Sequence, residues 1–440
     1  MLRNATIFPV TGHKDKKRTA IFAATDTIVM RHKYYQTLAA VLSAVLLILA
    51  VSCSREDPFG DNTYLLTAEK LFTTPVAGIE ALFGAFSVSD PAVEDLMEYI
   101  EHDVDVWRVT YRTDIYGEEI VASALVCRPV AAGKFPVLSF QNGTNTLHAN
   151  APSVNPSNPS YMLVEDLASM GFIVIIPDYP GFGSSESVAH PYLLKEPTVR
   201  SVTSLLAALR EFDDDVVHPA DAGTDLYLFG YSQGGWATLA IHEEIDKRVI
   251  EGFTLKASAA GAGPADLKAM LEGFLAADEY PMPSYFAYIA HAYRSYGWFD
   301  LDYNDIFNET YAAKIPGLFN GTLSLGAINQ QLTTNVSELL TPEFIAGFSS
   351  SPDFEDVRKA LADNSIKGWS TSVPLILVHG EGDTQVPAQG TIDLYNEMIS
   401  SGSPMAVVKI ELVPGVDHGD GLLPAAIKSL EFILAIAGTK

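Results

Sequence analysis

The chain has 440 residues, of which 48% are hydrophobic and 19% charged, so it can bury a core larger than that of one average domain. Its formal net charge of −26 argues against nucleic acids and anionic membrane surfaces as partners. Only two cysteines, Cys53 and Cys127, are present, which excludes a disulfide framework and a cysteine-rich metal site.

The first element in the chain is an apolar segment typical of an export signal. The run "AAVLSAVLLILAVS", residues 39–52, is too short for a comfortable membrane span. Arg31, His32 and Lys33 precede it and supply the basic region that such signals carry. We therefore predict that the protein is exported.

The end of this signal resembles a bacterial lipobox. Small residues lead into Cys53, although Ala50 stands where a leucine is usual. We predict a lipoprotein anchored through Cys53 in the outer membrane or cell envelope, and this anchor would be the only contact with a membrane. An ordinary secretory signal, in which Cys53 is incidental, is the alternative. Met30 is the natural start, so whether residues 1–29 are translated stays open.

Residues 54–105 are predicted to form a polar tether followed by an N-terminal helical segment. The β-branched and aromatic runs between Val106 and Val130 flank "DIYGEE", which indicates a β-hairpin. Two short apolar runs follow, "FPVLSF" at 135–140 and "GFIVIIPDY" at 171–179. Such nearly continuous apolar runs are typical of strands buried on both faces.

Helices and strands alternate through the rest of the chain. The predicted helices are "YMLVEDLASM", "TVRSVTSLLAALREF", "GGWATLAIHEEID", "TIDLYNEMIS" and "LLPAAIKSLEFILAIA". The predicted strands are "DLYLFG", "LKASAAG", "VPLILVHG" and "MAVVKIELV". This order predicts an α/β fold with a mostly parallel central sheet and helices on both faces. The predicted divisions are a leader and signal at 1–53, a core at 106–264 and 370–440, and an insert at 265–369.

A serine lies at one of the junctions between a strand and a helix. Gly230 to Gly234 read G-x-S-x-G, with Ser232 at the centre, between "DLYLFG" and "GGWATLAIHEEID". In this context the pattern predicts the nucleophile elbow of an α/β-hydrolase, where glycines let the strand and helix pack closely. The helix N-terminus favours negative charge developing at such a serine. The alternative is a passive serine in a glycine-rich turn.

An acid and then a histidine should follow the nucleophile in the chain. Asp383 follows the strand "VPLILVHG", and His418 follows the next strand, "VVKIELV". Carboxyl ends of parallel strands build the site, so we predict Asp383 as the orienting acid and His418 as the base. Glu381 is an alternative acid, whereas His379 is expected to be a packed histidine. Two further carboxylates lie near the base, Asp417 and Asp420.

The loop after "FPVLSF" is predicted to complete an oxyanion hole. One donor should be the backbone N–H of Gln233, the residue after the nucleophile. Gly143 would let the loop turn its amides inward, so we predict the Thr144 N–H as the second donor. Asn142 or Asn145 could take that part, and a simple polar turn is the other reading.

Together these motifs resemble the secretory lipase family of α/β-hydrolases, known in fungi and bacteria. The resemblance runs from Val106 to the C-terminus and rests on "QNGTNT", "PDYPGFGSSESVAHPYL", "GYSQGGWATLA", "GEGDTQVP" and "VDHGDG". It implies carboxylic-ester hydrolysis by Ser232, Asp383 and His418. Family members commonly have H-G-T where this chain has Asn142-Gly143-Thr144, so this position departs from the pattern. Asp178, in the "DYPGFG" motif, is expected to fix a turn.

The roughly hundred residues of the insert are far longer than an ordinary connection of a few residues. We predict a mainly helical cap over the site, whose aromatic side chains form part of the acyl pocket. Tyr285, Phe286 and Trp298 are the candidates for setting the acyl length, with short to medium esters preferred. The alternative is that the aromatic residues only form the core of the insert.

The sequence thus predicts a serine esterase or lipase that forms an acyl-enzyme. Its substrate would be a small-molecule or lipid ester, and its reaction needs no metal or organic cofactor. The alternatives are a carbohydrate acetyl or feruloyl esterase and a prolyl-type serine peptidase, although the lipase-like motifs count against the peptidase. A non-catalytic binding lipoprotein is a further alternative, which the complete set of motifs argues against.

Overall fold

The computed structural model of the chain describes residues 62–88 and 91–438. The predicted signal, Cys53 and most of the predicted tether lie outside the described residues. Within them, no helix combines the length and the apolar character that crossing a membrane would require.

In the described part of the chain, a nine-stranded sheet forms the centre of the fold, in the order β1-β2-β3-β5-β4-β6-β7-β8-β9. The strands β1, β2, β3 and β5 pair antiparallel, and all pairs from β5 through β4 to β9 are parallel. The bounds are β1 Leu65–Thr74, β2 Val104–Ile115, β3 Glu118–Pro129, β4 Gly133–Gln141, β5 Ile173–Pro177, β6 Ala220–Tyr231, β7 Thr254–Gly261, β8 Leu375–Gly380 and β9 Val408–Val413. The predicted α/β-hydrolase fold and the predicted hairpin are therefore present.

Helices cover both faces of the sheet. Along β6, Tyr227 and Phe229 point to the side where Ile433 and Leu434 of the last helix pack. The core helices are α1 Val76–Ser87, α2 Ala92–Met97, α3 Pro159–Glu165, α4 Lys195–Asp215, α5 Gln233–Lys247, α15 Gln389–Ser400 and α16 Leu422–Ala437. Every residue of β5 is buried, which explains the unbroken apolar run seen in the sequence.

The description of residues 54–105 as a tether and a helical segment needs correction. α1 and α2 lie in this segment, but they are preceded by β1, an edge strand paired with β2. Its pairing shifts register after Leu65 and after Lys70, which breaks the alternation that would mark a strand. The strand β2 also begins at Val104, two residues before the predicted start of the core at residue 106.

The insert between β7 and β8 is helical, as predicted. Its helices are α6 Leu267–Leu275, α7 Pro283–Ser295, α8 Tyr303–Ile306, α9 Glu309–Ala312, α10 Ile315–Leu318, α11 Leu325–Asn329, α12 Val336–Leu339, α13 Pro342–Gly347 and α14 Glu355–Asn364. Phe344 is fully buried and contacts the rings of Phe286, Phe348 and Phe354. The insert, called the cap below, therefore has an aromatic core of its own.

Candidate active site

Ser232 lies on a strained turn between β6 and α5. Its φ of 60° and ψ of −122° place it in a region that residues with a side chain rarely adopt. Its N–H donates to the carbonyl of Gly261, at the end of β7, over 2.8 Å. A Cβ on Gly230 or Gly234 would overlap neighbouring backbone atoms. The glycines of the motif thus allow the close approach of strand and helix that the turn requires.

Three side chains from the ends of three parallel strands form one hydrogen-bonded chain. His418 Nε2 lies 2.8 Å from Ser232 Oγ, and His418 Nδ1 lies 2.6 Å from Asp383 Oδ2. All three residues are buried, with 6–9% of each exposed. The Tyr231 hydroxyl also donates to the His418 carbonyl over 2.7 Å, which fixes the loop after β9. The structure therefore brings together the three residues predicted as nucleophile, base and acid.

Asp383 is held as a carboxylate by several donors. Its Oδ1 accepts the backbone N–H groups of Gln385 and Val386 at 2.9 and 2.8 Å. Burial acts to raise the pKa of Asp383, but the hydrogen bonds from His379, His418 and Val386 outweigh it and hold this pKa well below its usual range. Asp383 is thus ionised at neutral pH.

The alternative residues in these loops have other positions. Glu381 is exposed, and its backbone N–H donates to the Val413 carbonyl. The Asp417 carboxylate accepts the backbone N–H of Asp420 and closes a turn. His379 is buried, as expected, but it also lies against the acid, with Nε2 3.2 Å from Asp383 Oδ2. No pattern in the sequence predicts this last contact.

The loop after β4 lies beside the elbow. A Cβ on Gly143 would sit 3.6 Å from the Tyr231 carbonyl, directly before Ser232. The side-chain amide of Asn142 donates to the Pro177 carbonyl and therefore does not point a donor at Ser232. The hydroxyl of Thr144 bonds that of Tyr192 at 2.9 Å. The loop is thus next to Ser232, and the backbone donors of Gln233 and Thr144 stay predictions.

His190 contacts Gln233, the residue that follows Ser232. The Gln233 side-chain amide donates to His190 Nε2 over 2.9 Å, and His190 Nδ1 donates to the Pro180 carbonyl over 2.7 Å. Burial lowers the pKa of His190 to about 4, so this ring is neutral at pH 7. No role was predicted for it. Its position in "SVAHPYL", after the "PGFG" turn, was the only available signal.

Asp178 fixes a turn, as expected. Its carboxylate accepts hydrogen bonds from the Ser123 hydroxyl and from the hydroxyl and N–H of Ser153. Burial raises the pKa of Asp178 to about 6 despite these bonds. The residue joins β3 to the loops after β4 and β5.

Tyrosines of the cap contact the loop after β4 and the loop after β8, which both lie beside Ser232. On the acid side, the hydroxyls of Tyr280 and Tyr285 lie 3.1 and 3.5 Å from the Gln385 carbonyl and side-chain oxygens. On the other side, the Tyr288 hydroxyl donates to the Asn145 carbonyl over 3.2 Å. Burial and the charge of Asp383 raise the pKa of Tyr285 to about 12. The cap thus reaches the site from two directions.

Two of the aromatic residues proposed to set the acyl length lie elsewhere. Phe286 packs in the cap core, with ring centroids 5.3 Å from Phe307. The Trp298 indole donates to the hydroxyl of Tyr116, at the tip of the β2–β3 hairpin, over 2.9 Å. Tyr285 alone of the three contacts the acid loop. The spacing of aromatic residues in the sequence does not separate these surroundings.

A cavity of about 890 Å³ lies between α6 and α15. Its lining includes Asp383, Val386, Met270 and Phe274, but not Ser232.

Residues 62–88 and 91–438 hold no cluster of three or more His, Cys, Asp or Glu side chains suited to a metal ion.

The chain belongs to the alpha/beta hydrolase family, whose sequence pattern matches residues 155–426. No curated protein sequence matches the chain. Among solved structures it is similar to the rice cell wall degrading esterase LipA from Xanthomonas oryzae, with 25% identity and a TM-score of 0.71 over 84% of this chain and 96% of LipA.

Two further structures share the fold. A candidate hydrolase from Legionella pneumophila is 24% identical, with a TM-score of 0.76 over 85% of this chain and 98% of its own. Candida antarctica lipase A in its closed state is 14% identical, with a TM-score of 0.60 over 88% of each chain. At these identities the two likenesses support the architecture alone.

Proposed function

We propose that the protein is a serine carboxylic-ester hydrolase of the secretory lipase kind, acting through Ser232, His418 and Asp383. The observation that carries this proposal is the continuous chain from Ser232 Oγ to His418 and on to Asp383, at 2.8 and 2.6 Å. These distances are those of a nucleophile and base within hydrogen-bond reach, with the base oriented by a third group.

In the first half of the reaction, His418 Nε2 takes the hydroxyl proton as Ser232 Oγ attacks the ester carbonyl. Asp383 accepts from Nδ1–H, so the lone pair of the imidazole is on Nε2 and faces the serine. The carboxylate also stabilises the imidazolium that forms. The protonated Nε2 then donates to the leaving alcohol, and the acyl group remains on Ser232.

The charge on the tetrahedral oxygen needs donors already in place. The N–H of Gln233 opens α5 directly after the nucleophile, where the helix dipole adds to its effect. The Thr144 N–H is the second donor in this proposal, supported by the position of Gly143 beside the elbow. Each donor of this kind lowers the barrier by about 3 kcal/mol.

In the second half, water replaces the alcohol. His418 removes a proton from the water as it attacks the acyl carbonyl, and returns that proton to Ser232 Oγ as the acid leaves. Apart from the ester and this water, the proposed reaction uses only side-chain and backbone groups of the chain.

A second candidate is an esterase that acts on plant cell-wall polysaccharide. The similarity to a cell-wall degrading esterase covers 84% of this chain at 25% identity and favours this reading of the substrate. The triad chemistry would be the same, and only the alcohol or acyl part of the ester would differ.

Covalent labelling and a substrate panel test these proposals. A fluorophosphonate should label the wild-type protein at Ser232, whereas Ser232→Ala and His418→Ala should not react. Nitrophenyl esters of increasing acyl length, acetylated xylan and a prolyl peptide then separate the substrate classes. Labelling without hydrolysis of any ester would contradict the esterase, and cleavage of the peptide alone would favour the peptidase.

We also propose, from the sequence, that Cys53 is lipidated. Cys53→Ser should release the protein from membranes while its activity on a soluble ester is unchanged. A mature N-terminus at any other residue would refute the anchor.

A further inference from the structure

The acid of the site carries a second imidazole. Asp383 Oδ2 accepts from His418 Nδ1 at 2.6 Å and from His379 Nε2 at 3.2 Å. The Nε2–H of His379 is shared with the Val386 carbonyl, 2.8 Å away. With the Gln385 and Val386 N–H groups on Oδ1, four donors surround the carboxylate. One of them, His379, has no part in the proton transfers derived above.

The contacts of His379 determine which of its nitrogens carries the proton. Nε2 faces two acceptors, the Asp383 carboxylate and the Val386 carbonyl, so it must be protonated. Nδ1 lies 2.7 Å from the Thr391 hydroxyl and accepts from it. His379 and Thr391 are 1% and 4% exposed, so neither group reaches a substrate. The hydroxyl thus holds the ring with its donor toward the acid.

We propose that His379, oriented by Thr391, is a positioning residue for Asp383. This inference rests on the proposed function, because Asp383 must act on His418 for its position to matter. The donor from His379 holds Oδ2 in place and shares its negative charge. Without it, the carboxylate could rotate, and its whole charge would act on the His418 imidazolium, which would release its proton less readily.

Other ionisable groups near the acid do not replace this role. Tyr280 and Tyr285 of the cap and Tyr231 of β6 all have a raised pKa, for which burial is the main cause and the charge of Asp383 a further one. The Asp417 carboxylate also contributes to the raised pKa of Tyr231. These phenols therefore stay neutral across the pH range in which a serine hydrolase works.

Two substitutions of His379 separate positioning from folding. His379→Gln keeps an amide donor near the position of Nε2, whereas His379→Met fills a similar volume without a donor. Titration of the full-length variants with fluorophosphonate counts the reactive sites in each sample. For a short nitrophenyl ester, kcat per labelled site and KM are then measured from pH 5 to 9. Thr391→Val, which leaves Nδ1 without its donor, is the third variant.

For His379→Met we expect kcat to fall about tenfold at unchanged KM, because a hydrogen bond to a charged group is lost. The acid limb of kcat/KM should move to higher pH, since the carboxylate would hold the imidazolium more tightly. His379→Gln should keep most of the wild-type kcat and an acid limb close to that of the wild type. Thr391→Val should lower kcat and shift the acid limb in the same directions as His379→Met, but by less.

Two results would overturn the inference. If His379→Met lowers the labelled fraction but leaves kcat per labelled site and the acid limb unchanged, His379 only supports the fold. If His379→Gln is as impaired as His379→Met, the donor is not what matters. Wild-type protein that neither reacts with fluorophosphonate nor hydrolyses esters would overturn the proposed function as well, which distinguishes the two failures.

Discussion

Two adjacent carboxyl groups in the core should make the stability of the fold depend on pH. Glu165, at the end of α3, and Asp166 are 1% and 2% exposed. Glu165 Oε1 and Asp166 Oδ2 find no hydrogen-bond partner within residues 62–88 and 91–438. Burial, with the charge of Asp166 as a second cause, raises the pKa of Glu165 from 4.5 to about 8. Burial also raises the pKa of Asp166 to about 7.

The direction of the effect follows from the raised pKa values. An unfolded Glu loses its proton near pH 4.3, whereas the folded protein keeps it until about pH 8. Because the folded state binds more protons in this window, the free energy of unfolding falls as the pH rises through it. At about 1.4 kcal/mol for each pKa unit, the loss at pH 9 amounts to a few kcal/mol for Glu165.

Glu165→Gln removes the charge and keeps the shape. We expect its melting temperature to be close to that of the wild type at pH 5 and above it at pH 9. Each kcal/mol should move the midpoint by about 2 °C at most in a chain of this size. The exposed Glu251 supplies the matched control, Glu251→Gln, which should follow the wild type at both pH values. An equal change at pH 5 and pH 9 for Glu165→Gln would refute the reasoning.

The remaining predictions concern the site and the cap. Ser232→Ala, His418→Ala and the double variant should lose similar, non-additive amounts of kcat, because the residues act as a unit; additive losses would contradict the triad. Asp383→Asn should lower kcat through the wrong imidazole tautomer, and full activity would contradict its role. Tyr285→Ala should change the preference for acyl length on nitrophenyl esters more than turnover of the acetyl ester. Phe286→Ala should lower the melting temperature and the activity equally at all acyl lengths, and a selective effect would place its ring in the pocket.

Much of the fold and of the candidate site could be predicted from local patterns. Ser232 follows β6 directly, Asp383 and His418 lie in the loops after β8 and β9, and strands that are parallel end at the same edge. The strand β1 could not be predicted, because its exposed positions and register shifts hide the alternation. The second imidazole on the acid depends on how His379 meets a loop four residues later, and no spacing in the sequence reports that contact.

The place where the cap joins the core has a consequence for how such enzymes diversify. The cap leaves the sheet after Gly261 and returns before Leu375, and the two strands that it connects are direct neighbours in the sheet. Its length and sequence can therefore change without moving any strand, while the strand ends that hold Ser232 and Asp383 stay fixed. Selection or a protein engineer could exchange this one segment to redirect the enzyme to a new ester and leave the reacting atoms untouched.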